Sequence, residues 1–130
     1  MAALPATIHE MYRRAMDYFS RGELSSAQTV LENILIAAPE LAVAQSDLGG
    51  VYFHQGDLEA ALVQFEAARR SAPEEQAILQ NLAEAYLSAH EFGQARALYL
   101  ELRDLNPSDA GLTNRLSEIE SLLRERGESW

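Results

Sequence analysis

The sequence predicts an all-α fold of stacked antiparallel helix hairpins, about seven helices in 130 residues. Three observations predict it. All four prolines, Pro5, Pro39, Pro73 and Pro107, stand 34 residues apart, and Tyr18, Tyr52 and Tyr86 keep the same step, as do Ala27, Ala61 and Ala95. A fixed period of this length marks a solenoid, in which each unit buries its apolar face only against its neighbours. Between the prolines, apolar residues recur three and four apart, the spacing of an amphipathic helix.

In chain order, the first helix is expected over 7–21. It carries Arg14 where the later units have Leu48 and Leu82, with the small residue Ala15 beside it, repeated as Gly49 and Ala83. Gly22 ends this helix and Glu23 is placed to cap the next, over 24–37, which ends before Pro39. The third helix, 41–55, sets Leu48, Tyr52 and Gln55 along one side, and Gly49 lets a neighbouring helix approach closely. Gly56 offers a left-handed stop without a Cβ penalty, and Asp57 a cap for the helix over 58–72. That helix has Leu58, Ala61, Leu62, Phe65 and Ala68 as its apolar stripe. The same pair of helices is expected over 75–89 and 92–105, although His90-Glu91 replaces the Gly-acid pair, so a left-handed backbone there would rest on a less permissive residue. The bulky positions Leu31, Phe65 and Tyr99, and then Ile34, Ala68 and Leu102, stay in phase. Each proline follows a second helix, which it does not readily continue.

The last helix, 108–126, has the inward stripe Leu112, Leu116, Ile119 and Leu123. It carries Glu120 where the repeats carry Tyr, and Arg115, Glu118, Arg124, Glu125 and Arg126 on its other sides. It reads as a solvating cap. The tail through Trp130 is expected to fray. Ala2, Ala3, Leu4 and Pro5 resemble Ala37, Ala38 and Pro39, as if an upstream unit were missing. The polar His9, Glu10, Arg13, Arg14 and Asp17 instead favour a natural start, with a domain cut from a larger protein as the alternative.

These spaced positions resemble the tetratricopeptide repeat (TPR) family, with repeats over 8–41, 42–75 and 76–109 and a capping helix over 108–126, read as one domain over 1–130. The departures are Met11, Gln45 and Leu79 at the family's first aromatic position, and Arg14. The resemblance implies a right-handed superhelical solenoid whose first helices line a concave groove. On that expectation Tyr12, Met16, Val43, Gly50 and Phe53 make an apolar half of the groove, with His54 at its edge and a gap at Gly50. Arg13, Asp47, Asn81 and Arg115 form a polar row. Phe19, Phe53 and Leu87 are also expected to pack between adjacent first helices. Such a groove suits an extended peptide or an amphipathic helix of a protein partner. The carboxylate clamp of chaperone-binding relatives is not matched, because Asp47 would repel a carboxylate, Asn81 stands where a cation is needed, and Ser46, Gly50 and Gly111 fail the alternative register.

Composition bounds the chemistry. Twenty acids face ten bases, all Arg, for a net charge of −10. No segment is basic, which disfavours nucleic acid and anionic lipid. There is no cysteine, and His9, His54 and His90 fall at different repeat positions, so neither metal nor cofactor nor enzymatic chemistry is expected. The expected protein is cytoplasmic, without a membrane span, and a monomer or weak homo-oligomer. The alternatives to a peptide-binding scaffold are a self-assembling structural scaffold and an accessory domain presenting substrates to an enzyme. Small three-repeat secretion chaperones are a precedent for the acidic, apolar-grooved pattern.

Overall fold

A computed structural model describes residues 5–130; Ala2, Ala3 and Leu4, on which the likeness to residues 37–39 partly rests, lie outside them. Among the described residues there are seven α-helices and no strand: α1 (Ala6–Ser20), α2 (Leu24–Ala37), α3 (Ala42–His54), α4 (Leu58–Ser71), α5 (Gln76–Ser88), α6 (Phe92–Leu105) and α7 (Ala110–Glu125). Every bound falls within two residues of the spacing-based expectation. The chain divides into two compact units, the first ending at Pro73 and the second running from Glu74 to Trp130.

Two stop devices alternate. α1, α3, α5 and α7 each close with a left-handed residue, Gly22 (φ 76°), Gly56 (φ 82°), His90 (φ 59°) and Gly127 (φ 73°). In each closure the next N–H reaches back to a carbonyl five residues earlier: Glu23 to Tyr18, Asp57 to Tyr52, Glu91 to Tyr86 and Glu128 to Leu123, each at 2.9 Å. These are Schellman closures, which satisfy the orphan carbonyls of a helix end. His90 therefore holds the left-handed position that glycine holds elsewhere. The second helices α2 and α4 end at Ala38 and Ala72, with φ of −138° and −143°. Each precedes a proline, whose Cδ disfavours the helical conformation one residue upstream. α6 ends likewise at Asn106, before Pro107, with φ −135°.

The acidic residues opening the second helices are not equivalent. Asp57 accepts from the Ala60 N–H at 3.2 Å, and Asp109 accepts from Gly111 at the start of α7. Glu23, expected to cap α2, makes no side-chain cap, and neither does Glu91 on α6. Their extra methylene carries the carboxylate past the first-turn N–H groups that an aspartate reaches.

In the first unit α2 packs on α1 and α3, and α4 on α3; in the second α6 packs on α5 and α7. Ala27, Ala61 and Ala95 are fully buried, as are Leu31 and Ile34, while Phe65, Tyr99 and Leu102 are 3% exposed. Each large member of this set contributes about 1.5–3 kcal/mol by leaving water. Gly49 explains the α3–α4 approach, since a Cβ there would lie 2.7 Å from the Phe65 ring. Gln45, which replaces the family's aromatic, is buried and satisfied: its amide donates to the Pro39 carbonyl at 3.0 Å and accepts from the Ser71 hydroxyl at 2.9 Å. Arg14 is exposed and lines an open hollow of about 430 Å³ with Met11, Tyr18 and Val30, so a charge is tolerated where Leu48 and Leu82 are buried.

In α7, Leu116, Ile119 and Leu123 are buried. Glu120 pairs with Arg96 of α6 at 3.0 Å. The tail departs from the frayed end expected of it, because the Trp130 ring lies under the guanidinium groups of Arg96 and Arg124, 5.0 and 5.3 Å from its centroid. Cation–π attraction to two arginines gives the terminal aromatic a binding place on its own unit. No helix among the described residues is long and apolar enough to cross a membrane.

Candidate functional site

The first helices of the first unit carry two parallel stripes. On α1, Tyr12, Met16 and Phe19 recur at i, i+4 and i+7; on α3, Val43, Asp47, Gly50 and His54 recur at i, i+4, i+7 and i+11, so each set shares one helix face. Two contacts join the stripes. At one end the Tyr12 hydroxyl donates to the Asp47 carboxylate. At the other the Phe19 and His54 rings meet edge to face with centroids 5.3 Å apart, and Phe53 meets His54 at 6.1 Å. Met16 and Gly50 lie between these bridges along their helices. A Cβ on Gly50 would find no atom within 4 Å, in contrast to its neighbour Gly49.

The exposure of the face is mixed. Tyr12, Met16, Phe19, Asp47 and Gly50 are half-buried, and Arg13 and His54 are exposed. Val43 and Phe53 leave 46% and 36% of their surface to solvent, a large apolar area for an exposed helix face. Burial pushes the Asp47 carboxyl above its ordinary value, and the hydrogen bond from Tyr12 only partly counters it. The Tyr12 hydroxyl is pushed far up as well, first by burial and then by the bond to Asp47 and its charge. Tyr12 therefore stays a neutral donor at any physiological pH, and Asp47 is held by a partner that carries no positive charge.

The second unit has its own polar cluster. The Tyr99 hydroxyl of α6 donates to Glu84 of α5, and Arg115 of α7 reaches Glu84 at 3.4 Å and Glu118 at 3.1 Å. Burial, then the bond to Glu84, pushes Tyr99 up to about 12, with Arg115 opposing. Arg115 is itself raised, chiefly by its hydrogen bonding with Tyr99 and Glu118. Asn81 is exposed on α5 and takes part in an interaction of its own.

Set against the sequence expectation, the structure joins Tyr12 to Asp47 and Phe53 to His54. It gives Tyr12 a polar task that the apolar half of the groove did not include. Arg115 meets two carboxylates, Glu84 and Glu118. Glu84 is among the groove positions expected of the third repeat, whereas Tyr99, placed only among the in-phase bulky residues, was not expected to carry a polar role. A signal for Tyr99 was present: it is the only hydroxyl at a position held otherwise by Leu31 and Phe65.

The sequence profile of the tetratricopeptide repeat matches residues 12–76 and, in a second form, 52–113. No curated protein sequence matches the chain significantly. Many solved structures share its fold. The first TPR of Spaghetti (RPAP3), bound to the HSP90 peptide SRMEEVD, is 18% identical over 90% of this chain and 93% of its own, with a TM-score of 0.81. The Yersinia enterocolitica type III secretion chaperone SycD, in complex with a peptide of the translocator YopD, is 16% identical over 96% of this chain and 98% of its own, with a TM-score of 0.80. A tetratricopeptide repeat protein from Parabacteroides merdae is 23% identical over 92% of this chain but only 48% of its own, with a TM-score of 0.85. With its profile matched over half its length and its hairpins closed in the same phase, the chain belongs to the tetratricopeptide repeat family.

Proposed function

We propose that the chain is a protein-interaction module that holds a peptide or helix of a partner on the α1–α3 face of its first unit. The observation that carries this reading is the gap at Gly50, flanked along the helices by the Tyr12–Asp47 and Phe19–His54 bridges and bordered by the exposed apolar groups of Val43 and Phe53. A side chain entering that gap gains apolar contact without displacing any protein atom, and the two bridges pre-set the side chains around it, which lowers the entropy cost of binding. Two of the similar structures hold peptides, of HSP90 and of a translocator, and these support the reading by analogy of fold alone. Within the first unit, Arg13 extends the proposed surface with a polar group that would set register rather than supply affinity.

The test is affinity capture from extract of the native cell with the wild-type chain and with Phe53→Ala/Met16→Glu. The expected result is a specific protein retained by the wild type and lost by the double variant, while circular dichroism and melting stay close to wild type. Full retention by a folded double variant would overturn the reading. Because Met16 is half-buried, Phe53→Ala alone serves as the milder companion, expected to weaken capture without loss of fold.

A further inference from the structure

The α1–α3 face combines open space above Gly50 with the Asp47 carboxylate, which accepts a hydrogen bond from the neutral Tyr12 hydroxyl. Asp47 and Gly50 are three residues apart on α3, about 4.5 Å along the axis. The Tyr12 bond fixes the carboxylate on the inner side of the two stripes without cancelling its charge. Elsewhere, carboxylates meet arginines: Glu120 pairs with Arg96, and Glu84 and Glu118 share Arg115. Arg13 occupies on α1 the repeat position that Asp47 occupies on α3, so the face presents a positive charge on one helix and a negative one on the next. The first unit is surplus in acid, and its segment 42–73 carries four acids against two arginines.

We infer that the occupant of this face is a protein segment that places a large apolar side chain over Gly50 and an arginine or lysine on Asp47. The inference rests on the proposed peptide-binding role of the same face and specifies the chemistry of its partner. The geometry limits the spacing. In an extended segment, side chains two residues apart share a side and stand about 7 Å from each other; in a helix, residues three or four apart are about 4.5–6 Å apart along the axis. Either span lets a flexible basic side chain reach Asp47 while its apolar neighbour lies over Gly50. The ring of Tyr12, hydrogen-bonded to Asp47, is the aromatic group beside the same cation. Arg13 disfavours a base on the α1 side, which gives the segment one direction across the stripes. The preferred charge is opposite to that of an acidic peptide tail.

The test uses a displayed library of random dodecapeptides selected on the whole chain, followed by affinity measurement of the enriched peptide with labelled synthetic material. Enrichment of an apolar residue with Arg or Lys two to four positions away is expected. Asp47→Asn, which keeps an oxygen for Tyr12, is expected to weaken that peptide about tenfold or more, the order of a partly desolvated charge pair. Glu59→Gln, an equal change of net charge at an exposed position of α4, should change it less than about twofold, and so separates a local pair from general attraction to an acidic protein. Gly50→Leu, whose Cβ meets no neighbour within 4 Å in the folded chain, should abolish binding while melting is not lowered. A library that enriches no basic residue, that yields no binder, or whose peptide responds alike to Asp47→Asn and Glu59→Gln overturns the inference. Loss of binding in Gly50→Leu with no effect of Asp47→Asn removes the cation and leaves the interaction face standing. Binding that survives Gly50→Leu removes the face itself.

Discussion

Two adjacent glycines in α3 show how much one residue's surroundings decide. Both sit inside a helix, where alanine is better than glycine by roughly 0.5–1 kcal/mol. At Gly50 nothing opposes that gain, because a Cβ there has open space. Gly50→Ala is therefore expected to stabilise the chain by about 0.5–1 kcal/mol in urea unfolding. At Gly49 the same Cβ would stand 2.7 Å from the ring of Phe65, itself 3% exposed and unable to swing away. Overpacking of this kind costs about 1–3 kcal/mol, so Gly49→Ala should destabilise on the order of 1 kcal/mol net. Equal effects of the two substitutions would refute this account of the α3–α4 approach. The small residue at position 49 was legible in the sequence, since Ala15 and Ala83 hold the same phase. The Tyr12–Asp47 bond was not, for a physical reason: comparison of repeats aligns equivalent positions, 34 apart, whereas the bond joins positions 35 apart on neighbouring helices. Phase analysis shows which residues share a role, and contacts between unlike roles fall outside it.

At the scale of the element, helix boundaries were recoverable because each stop is local chemistry. A left-handed residue closes the first helix of each repeat, and a proline prevents the second from continuing, and both signals stand in the sequence at the place where they act. Side-chain caps were less legible. Asp57 and Glu23 look alike as acids in phase, but only the shorter side chain reaches its N–H groups. The Gly56 turn also supplies a clean measurement. With φ at 82° and no atom within 4 Å of a Cβ, Gly56→Ala meets no steric neighbour, so its whole effect is the left-handed backbone. A loss of about 1 kcal/mol is expected, somewhat offset by reduced freedom of the unfolded chain. His90, at φ 59°, already bears that strain, stacked on Phe92 at 5.7 Å while its carbonyl accepts from Arg126 at 2.6 Å. His90→Gly relieves the backbone but gives up the stacking, so it is expected to change stability by less than Gly56→Ala does. If Gly56→Ala left melting unchanged, the left-handed closure would have no energetic role in ending α3.

For the molecule as a whole, the controlling quantity is its net charge of −10. Surplus acid spread over every segment repels itself in the folded chain, and this repulsion weakens as the Debye length falls from about 30 Å at 0.01 M salt to about 8 Å at 0.15 M. Salt also weakens favourable pairs, but the exposed ones are individually small: pairs such as Arg21–Asp17 at 2.7 Å and Arg115–Glu118 at 3.1 Å are each worth only about 0.2–0.5 kcal/mol. Repulsion among unmatched acids should therefore prevail. The melting temperature is expected to rise by a few degrees between 10 and 150 mM sodium chloride, the shift that about 1 kcal/mol produces in a chain of this size. The same screening acts in the opposite direction on a basic partner, whose association with the acidic chain slows as salt is added. One titration thus separates the two roles of the charge: melting should climb and partner association should slow over the same range. A melting temperature that falls with salt would mean that paired charges, not the surplus, dominate the folded state.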